Sequence, residues 1–337
     1  MSVVILVADG LRPDALAEAI ARGQVPALAR LRDEGALSTV TSVFPSVTGP
    51  AYTPFLMGRF PGPVGLPGLR WYDRSRKLAR MPFHSRSYVG AEMRHVDADL
   101  LSSAPTIFEL APSSLAAMNV IGRGLQAHER LGQGARFVLR TGITHFRGNV
   151  RGWLAIDRDI AANFTRKLVE DKPDFAFAAL TGIDKTSHAR GHESELTREA
   201  LAIVDHMAGA IRAAAEKDGT WPATHLWIVS DHGHSPVKRH DDLAALVRSW
   251  GLSVLAHPWP MRFKPDAAVM VSGNAMAHIY VGLRGAGRAV QRESIASRLL
   301  ERESVDLLLV PCEGGCEVRS AHRGNALVSM DDTGAYS

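Results

Sequence analysis

Three short apolar runs in this chain each end on an aspartate. VVILVAD ends with Asp9, DFAFAALTGID with Asp184, and the run THLWIVS is followed by Asp231. Apolar runs of this length are typical of buried parallel strands, whose carboxyl ends meet at one edge of a sheet. A single aspartate after a strand is usually part of a turn or a helix cap. Three carboxylates gathered at one edge would repel one another unless they bound cations or held protons.

Helical patterns lie between these runs. Residues 155–173 and 195–217 have helical spacing, and a helical stretch over 14–35 is broken near Pro26. Further strands are expected over 115–122 and in the strand-like segment STVTSVF at 38–44. The alternation predicts an α/β fold, with a mostly parallel central sheet and helices on both faces.

The length of the chain allows more than one structural region. With 337 residues it can form a large α/β core and a smaller insertion. We predict a metal-binding catalytic core over residues 1–240 and an α+β cap that selects the substrate over 241–320. Residues 321–337 are expected to be a tail, the truncated start of a return to the core.

The charge distribution, the first apolar run and the two cysteines limit the possible functions and the expected location of the protein. The net charge of +4 is spread thinly, without a basic run of the kind that binds nucleic-acid polymers. The first apolar run lacks a basic flank and is too short for a signal peptide or a membrane span, which favours a cytoplasmic protein. The pair Cys312 and Cys316 in CEGGC favours a surface hairpin, and a local disulfide or metal role remains open.

Histidines follow two of the three aspartates at ligand spacing. His188 lies four residues after Asp184, so a helical turn or a tight loop would direct both side chains to one point. His232 is adjacent to Asp231, and neighbouring residues at a strand end can face two different ions. Oxygen and nitrogen ligands of this kind suit zinc, and manganese is an alternative. His234 is expected to be a loop residue, with a supporting role left open.

A hydroxyl-rich segment, FPSVTGPAYTPFLMGRFPG, contains Thr48 before a predicted helix. A threonine at a helix N-terminus is usually a cap. The same backbone offers free N–H groups to a phosphate, and a hydroxyl bound to a divalent cation becomes a nucleophile more readily. Both interpretations remain open from this segment alone.

Taken in order, LVADGLRPDAL, PSVTGPAYTPFLMG, TGIDKTSH and VSDHGHS resemble the alkaline phosphatase superfamily. The similar branch is that of nucleotide pyrophosphatase/phosphodiesterases and phosphonoacetate hydrolase, and the resemblance covers roughly residues 1–240. It implies an alkaline phosphatase-like fold, two zinc ions and Thr48 as the nucleophile. The ligands that it implies are Asp9, Thr48, Asp231 and His232 for one ion, and Asp184 and His188 for the other.

The chain departs from the family pattern at three places. The second ion of the family has a third, C-terminal histidine, for which His322 is the candidate here unless that ligand lies beyond residue 337. Gly49 replaces the aromatic residue that follows the nucleophile in nucleotide-specific members. Arg70 stands beside the position of a phosphate-binding asparagine, and it could either replace that asparagine or be a surface arginine.

The function implied by the resemblance is that of a metal-dependent hydrolase. It would cleave phosphodiester or pyrophosphate bonds of a small phosphorylated substrate through a phospho-threonine intermediate. Two alternatives remain: a phosphonate hydrolase that cleaves carbon–phosphorus bonds, and a metal- or phosphate-binding protein without turnover. The sequence does not indicate the natural substrate or the oligomeric state.

Overall fold

Two units divide the chain, and each is formed by residues from distant parts of the sequence. The computed structural model describes residues 2–75, 85–257, 264–273, 275–284 and 287–331. The first unit comprises Met1–Leu69 and Ser87–Pro236, and the second comprises Arg70–Arg86 and Val237–Ser337. Each unit is therefore built from two separate segments of the chain.

The described residues contain both strands and helices, which alternate along most of the first unit. The strands are β1 Ser2–Ala8, β2 Arg70–Tyr72, β3 Ser85–Ser87, β4 Ser114–Ala117, β5 Arg130–Leu131, β6 Phe175–Leu180, β7 Thr224–Val229, β8 Val254–Ala256, β9 Ala267–Gly273, β10 Met276–Tyr280, β11 Leu308–Cys312, β12 Gly315–Ser320 and β13 Gly324–Ser329. The helices are α1 Pro13–Ala21, α2 Pro26–Glu34, α3 Thr53–Met57, α4 Val96–Asp99, α5 Ile107–Leu110, α6 Ala135–Phe146, α7 Val150–Asp171, α8 Gly182–Arg190, α9 Glu195–Lys217, α10 Leu243–Ser249 and α11 Arg288–Leu300.

The first unit is organised around a five-stranded sheet. Its strand order is β5-β4-β6-β1-β7, and every neighbouring pair runs parallel. In this register Ala8 lies opposite Leu180, and Val7 lies opposite Val229. The strands β6, β1 and β7, which precede the three aspartates, are therefore direct neighbours in space.

Helices cover both faces of this sheet. On one face, β1 and alternate residues of β6 share an apolar cluster with α1, α2, α7 and α9. On the other face, Phe177 of β6 packs edge-on against Tyr52 and Phe175 packs against Phe108 of α5, each pair with ring centroids 5.6 Å apart. The predicted α/β fold with a parallel sheet between helices is confirmed.

Local signals account for the helix boundaries. Helix α9 covers Glu195–Lys217, the predicted range, and the side chain of Ser194 caps it by accepting from the backbone N of Thr197. Proline can occupy the first position of a helix because the N–H that it lacks would have no partner there. Pro26 accordingly begins α2 after the break that follows α1.

Two strand predictions need correction. Residues 38–44 form no strand, and Val40 within them is 79% exposed. Alternating β-branched residues form a strand only when a neighbouring strand supplies backbone partners, which is a non-local requirement. The strand expected over 115–122 is shorter, Ser114–Ala117, because Met118 has a φ of 53° and leaves the extended conformation.

The second unit contains strands and helices in a different arrangement. One sheet has the order β10-β9-β8, with β9 and β10 antiparallel, and a second, antiparallel sheet has the order β11-β12-β13. Cys312 and Cys316 lie in the β11–β12 hairpin as free thiols, so the predicted hairpin is confirmed. His322 lies between β12 and β13, and its backbone N donates to Ser320 Oγ at 3.3 Å. In the part of the chain that the structure describes, no helix has the length and apolarity needed to cross a bilayer.

Candidate functional site

The three strand-end aspartates lie at the carboxyl edge of the central sheet. Asp9 directly follows β1, Asp184 lies in the first turn of α8 after β6, and Asp231 follows β7 by two residues. All three are buried, with exposed fractions of 0% for Asp9 and 2% for Asp184 and Asp231. The backbone N of Gly10 donates to Asp231 Oδ1 at 3.2 Å, which connects two of these strand ends directly.

The electrostatics of the cluster are unfavourable without a cation. Burial raises the pKa of Asp9 well above its ordinary value, and the charges of Asp231 and Asp184 raise it further. Burial also raises the pKa of Asp231. Burial acts in the same direction on Asp184, but hydrogen bonds from His188 and His234 and the charge of Lys185 together outweigh it and lower the pKa of that carboxyl. A positive charge at this edge would relieve the repulsion.

Thr48 directs its hydroxyl into this edge. Thr48 Oγ1 lies 3.1 Å from Asp9 Oδ1 and 3.2 Å from His232 Nε2. The short helix that follows begins at Pro50, and Thr48 makes no side-chain capping bond to it. The side chain is half-buried, so a substrate can reach it. The hydroxyl thus contacts the carboxylate cluster instead of serving as a helix cap.

His232 contacts Thr48 and two of the aspartates. Its Nε2 lies 3.5 Å from Asp9 Oδ1 and 3.5 Å from Asp231 Oδ2. Its Nδ1 is 3.1 Å from the carbonyl O of Gly233. When Nδ1 donates to that carbonyl, the lone pair of Nε2 faces the carboxylates and is available to a metal ion.

A second group surrounds Asp184. His188, one turn later in α8, places Nε2 3.1 Å from Asp184 Oδ1, and His234 places its own Nε2 3.0 Å from the same oxygen. Lys185 Nζ lies 2.8 Å from Asp184 Oδ2. Of the two geometries that the sequence left open for Asp184 and His188, the structure has the helical turn. The sequence predicted that His234 is a loop residue, with a supporting role left open, and did not predict its contact with Asp184.

Asp157 of α7 fixes the helix that carries Asp184 and His188. It accepts from the backbone N of Gly182 at 2.6 Å and of Thr181 at 3.2 Å, the amides at the start of α8. Burial raises its pKa to about 7, although these two hydrogen bonds act against the shift. Sequence reasoning did not predict this role, because an aspartate within a helical pattern is typical of a solvated face.

The residues present fit divalent cations. Two sets of residues bring their ligand atoms close together, and within each set all of these atoms lie within 4.8 Å of one another. Asp9, Asp231 and His232 form one set, and Asp184, His232 and His234 form the other. Asp231 Oδ2 is buried and has no hydrogen-bond partner among the described residues. Carboxylate oxygens and imidazole nitrogens are ligands that zinc accepts, so a cation would meet a suitable donor set and a carboxylate oxygen without a hydrogen-bond partner.

Two residues singled out from the sequence belong to the second unit. Arg70 begins β2, and its carbonyl accepts from Ser272 Oγ at 2.7 Å. His322 lies in the turn between β12 and β13. The substrate contact of Arg70 and the metal contact of His322 stay predictions.

Gly49, next to Thr48, has no room for a side chain. Its φ is 96°, and a Cβ atom built there would lie 2.6 Å from the ring of Tyr88. We expect Gly49→Ala to lower the free energy of unfolding by about 1–3 kcal/mol and to reduce turnover, because the strain falls beside the nucleophile. Urea denaturation and steady-state kinetics measure the two effects.

The double variant Gly49→Ala/Tyr88→Ala is the control for this prediction. In the Tyr88→Ala background, Gly49→Ala should lower the free energy of unfolding by less than it does in the wild type. The clash with the ring is then gone, and only the backbone strain remains. An equal cost in both backgrounds would contradict the proposed contact.

Comparison with known proteins identifies the class. The parallel sheet, its strand-end carboxylates and the family match place the chain among the hydrolases of the alkaline phosphatase superfamily. The chain belongs to the type I phosphodiesterase / nucleotide pyrophosphatase family, whose model matches residues 3–310. The family resemblance stated from the sequence is confirmed. No curated protein matches this sequence.

Solved structures share the fold at low identity. Phosphonoacetate hydrolase from Sinorhizobium meliloti 1021, in complex with phosphonoacetate, is 17% identical with a TM-score of 0.62, over 92% of this chain and 75% of the other. Murine ectonucleotide pyrophosphatase/phosphodiesterase 5 is 17% identical with a TM-score of 0.58, over 92% of this chain and 72% of the other. At this identity the similarity shows a common fold.

Proposed function

We propose that the protein hydrolyses phosphodiester or pyrophosphate bonds of small phosphorylated substrates, with Thr48 as the nucleophile. The observation that supports this most strongly is the position of the Thr48 hydroxyl, 3.1 Å from Asp9 and 3.2 Å from His232. A hydroxyl used only for structure would be expected to bond a backbone group, as Thr53 does with the carbonyl of Pro50. The membership of a phosphodiesterase family supports the same chemistry.

Asp9, Thr48, Asp231 and His232 would hold one divalent ion, and Asp184 and His188 would contribute to a second. The donor set favours zinc, with manganese as the alternative. When bound, such ions lower the pKa of a hydroxyl and neutralise charge that develops on phosphoryl oxygens. The three buried carboxylates are the residues of this chain that would bind them.

Thr48 carries the covalent step. Its hydroxyl proton passes to a carboxylate oxygen of Asp9, both of which lie within 3.3 Å of Oγ1, or to water, because the lone pair of His232 Nε2 would be used by the ion. Oγ1 then attacks phosphorus in line with the bond to the leaving group, and that bond breaks with its electron pair on the leaving oxygen. This gives a phospho-threonine at residue 48.

Water completes the cycle. It attacks the phosphorus of the phospho-threonine, the bond between Oγ1 and phosphorus breaks, and Oγ1 takes back a proton. The products are the phosphorylated half of the substrate and a regenerated Thr48. Lys185, whose ammonium group contacts Asp184, keeps a positive charge near the same edge.

Turnover of defined substrates tests this proposal. The purified chain, loaded with zinc, is assayed with bis(4-nitrophenyl) phosphate and with phosphonoacetate. We expect release of nitrophenol from the diester, its loss on chelation and its return with added zinc. A zinc-loaded, folded protein that hydrolyses neither substrate would support the alternative of a metal- or phosphate-binding protein without turnover.

One observation favours the alternative of a phosphonate hydrolase. Gly49 offers no aromatic side chain for stacking a nucleobase, and the ring of Tyr88 fills the space beside it. That arrangement suits a small substrate better than a nucleotide. Faster release of phosphate from phosphonoacetate than of nitrophenol from the diester would support carbon–phosphorus cleavage as the principal reaction.

A further inference from the structure

His234 is the histidine that sequence reasoning did not place in the site. We propose that His234 is the third protein ligand of the second divalent ion, together with Asp184 and His188. This inference rests on the proposed function, since it concerns the ion that Asp184 would bind. In this proposal a residue of the first unit completes the ligand set of the second ion.

The contacts around Asp184 are those of a ligand cluster. The Nε2 atoms of His188 and His234 lie 3.1 Å and 3.0 Å from the same oxygen, Asp184 Oδ1. Their rings are nearly perpendicular, at 80°, with centroids 4.5 Å apart. Two imidazoles that converge on one carboxylate oxygen from different directions surround a small space with donor atoms. Asp184, His234 and His232 also form a set whose ligand atoms all lie within 4.8 Å of one another. Carboxylate oxygens and imidazole nitrogens of this kind are ligands that zinc accepts.

The backbone around His234 holds it in this position. The guanidinium of Arg12 donates to the carbonyl O of His234 at 2.5 Å and also to Asp14 Oδ1, at 2.9 Å. Gly10 leaves space for the ring, because a Cβ there would lie 2.9 Å from His234 Nε2. The side chain of His234 is 12% exposed, whereas that of His188 is 40% exposed. The imidazole is therefore oriented by the loop after β1 and not by its own segment alone.

Ligand number supports the same assignment. Catalytic zinc sites commonly have three protein ligands and keep one position open for water or substrate. Asp184 and His188 alone supply two. With His234 the second ion has one carboxylate and two imidazoles, which leaves a position for an oxygen of the substrate.

Metal content tests this assignment without relying on activity. Wild type, His234→Gln, His322→Ala and the exposed control His206→Ala are equilibrated with buffered zinc and analysed for metal per folded chain. We expect two zinc ions for wild type, His322→Ala and His206→Ala, and about one for His234→Gln. Equal zinc content and affinity in His234→Gln and wild type would overturn the proposal.

A second variant, His234→Cys, tests the proposal by absorption spectroscopy if His234→Gln does not fold. His234→Cys is made in a Cys312→Ser/Cys316→Ser background and loaded with cobalt(II). A thiolate that binds cobalt gives a near-ultraviolet charge-transfer band, so we expect this band in His234→Cys and not in the matched His206→Cys. Cobalt binding without the band in His234→Cys would overturn the proposal.

These measurements separate the two proposals. If His234 is not a ligand, its variants keep two ions while hydrolysis still depends on Thr48. If the proposed function is wrong, wild type itself binds no divalent ion or turns over no substrate, whichever residue occupies position 234.

Discussion

Replacing Thr48 with alanine is expected to lower kcat for the diester by at least about 10³-fold, because the variant lacks the oxygen that attacks phosphorus. Metal content should change little, since Asp9, Asp231 and His232 remain. A fall in kcat without a fall in metal content distinguishes a nucleophile from a residue that only helps to hold the ion. Steady-state kinetics and metal analysis on the same preparation measure both.

Thr48→Ser is the matched control for this prediction. Serine keeps a hydroxyl at the same position, so it should retain most of the activity and should form a covalent phospho-enzyme that mass spectrometry detects after acid quenching. Turnover by Thr48→Ala at the wild-type rate would exclude the covalent mechanism.

Asp9→Asn is expected to have opposite effects on metal binding and on the stability of the metal-free protein. Loss of a charged ligand should weaken divalent-ion binding by more than about 100-fold, since even changes to residues that support ligands cost 10–100-fold. Zinc at about 100 times its dissociation constant stabilises a folded protein by about 2.7 kcal/mol, and the variant should lose most of this gain. Without metal, the variant should be the more stable protein at pH 8.

The pKa of Asp9 gives the reason for the second effect and its sign. Burial and the neighbouring carboxylates raise that pKa in the folded state. The folded chain then binds more protons than the unfolded chain, so the free energy of unfolding falls as pH rises above the ordinary aspartate range of about 4. Asparagine does not titrate, so the metal-free variant should lose less stability over the same pH interval.

Urea denaturation with a chelator, at pH 5 and pH 8, measures this difference. Asp33→Asn is the control, because Asp33 is exposed and pairs with Arg32 at the surface. We expect Asp33→Asn to follow wild type at both pH values, with and without zinc. A metal-free Asp9→Asn that is less stable than wild type at pH 8 would contradict the repulsion inferred for the three carboxylates.

Much of the core was predictable because its signals are local. The apolar runs before Asp9, Asp184 and Asp231 correspond to three adjacent strands of the sheet. A continuous apolar run is typical of a parallel strand covered on both faces, as β6 is, whereas β7 lies at the edge of the sheet and exposes Trp227. The ends of α9 followed from the helical pattern over 195–217, and the structure adds Ser194 as its cap. The family followed from four motifs in one order.

The features that sequence reasoning missed depend on contacts between distant residues. His234 reaches Asp184 because Arg12, 222 residues earlier, holds its carbonyl. Residues 38–44 have a strand-like alternation, but pairing requires a partner strand that the pattern cannot reveal.

The order β6-β1-β7 has a consequence for how substrate preference can change. Neighbouring strands are separated by about 4.8 Å through backbone hydrogen bonding, whatever their side chains. The spacing of the strands therefore sets the spacing of the carboxylates that follow them. Substitutions in the surrounding loops can then alter which phosphorus compound is accepted while the spacing at the reactive centre stays constant.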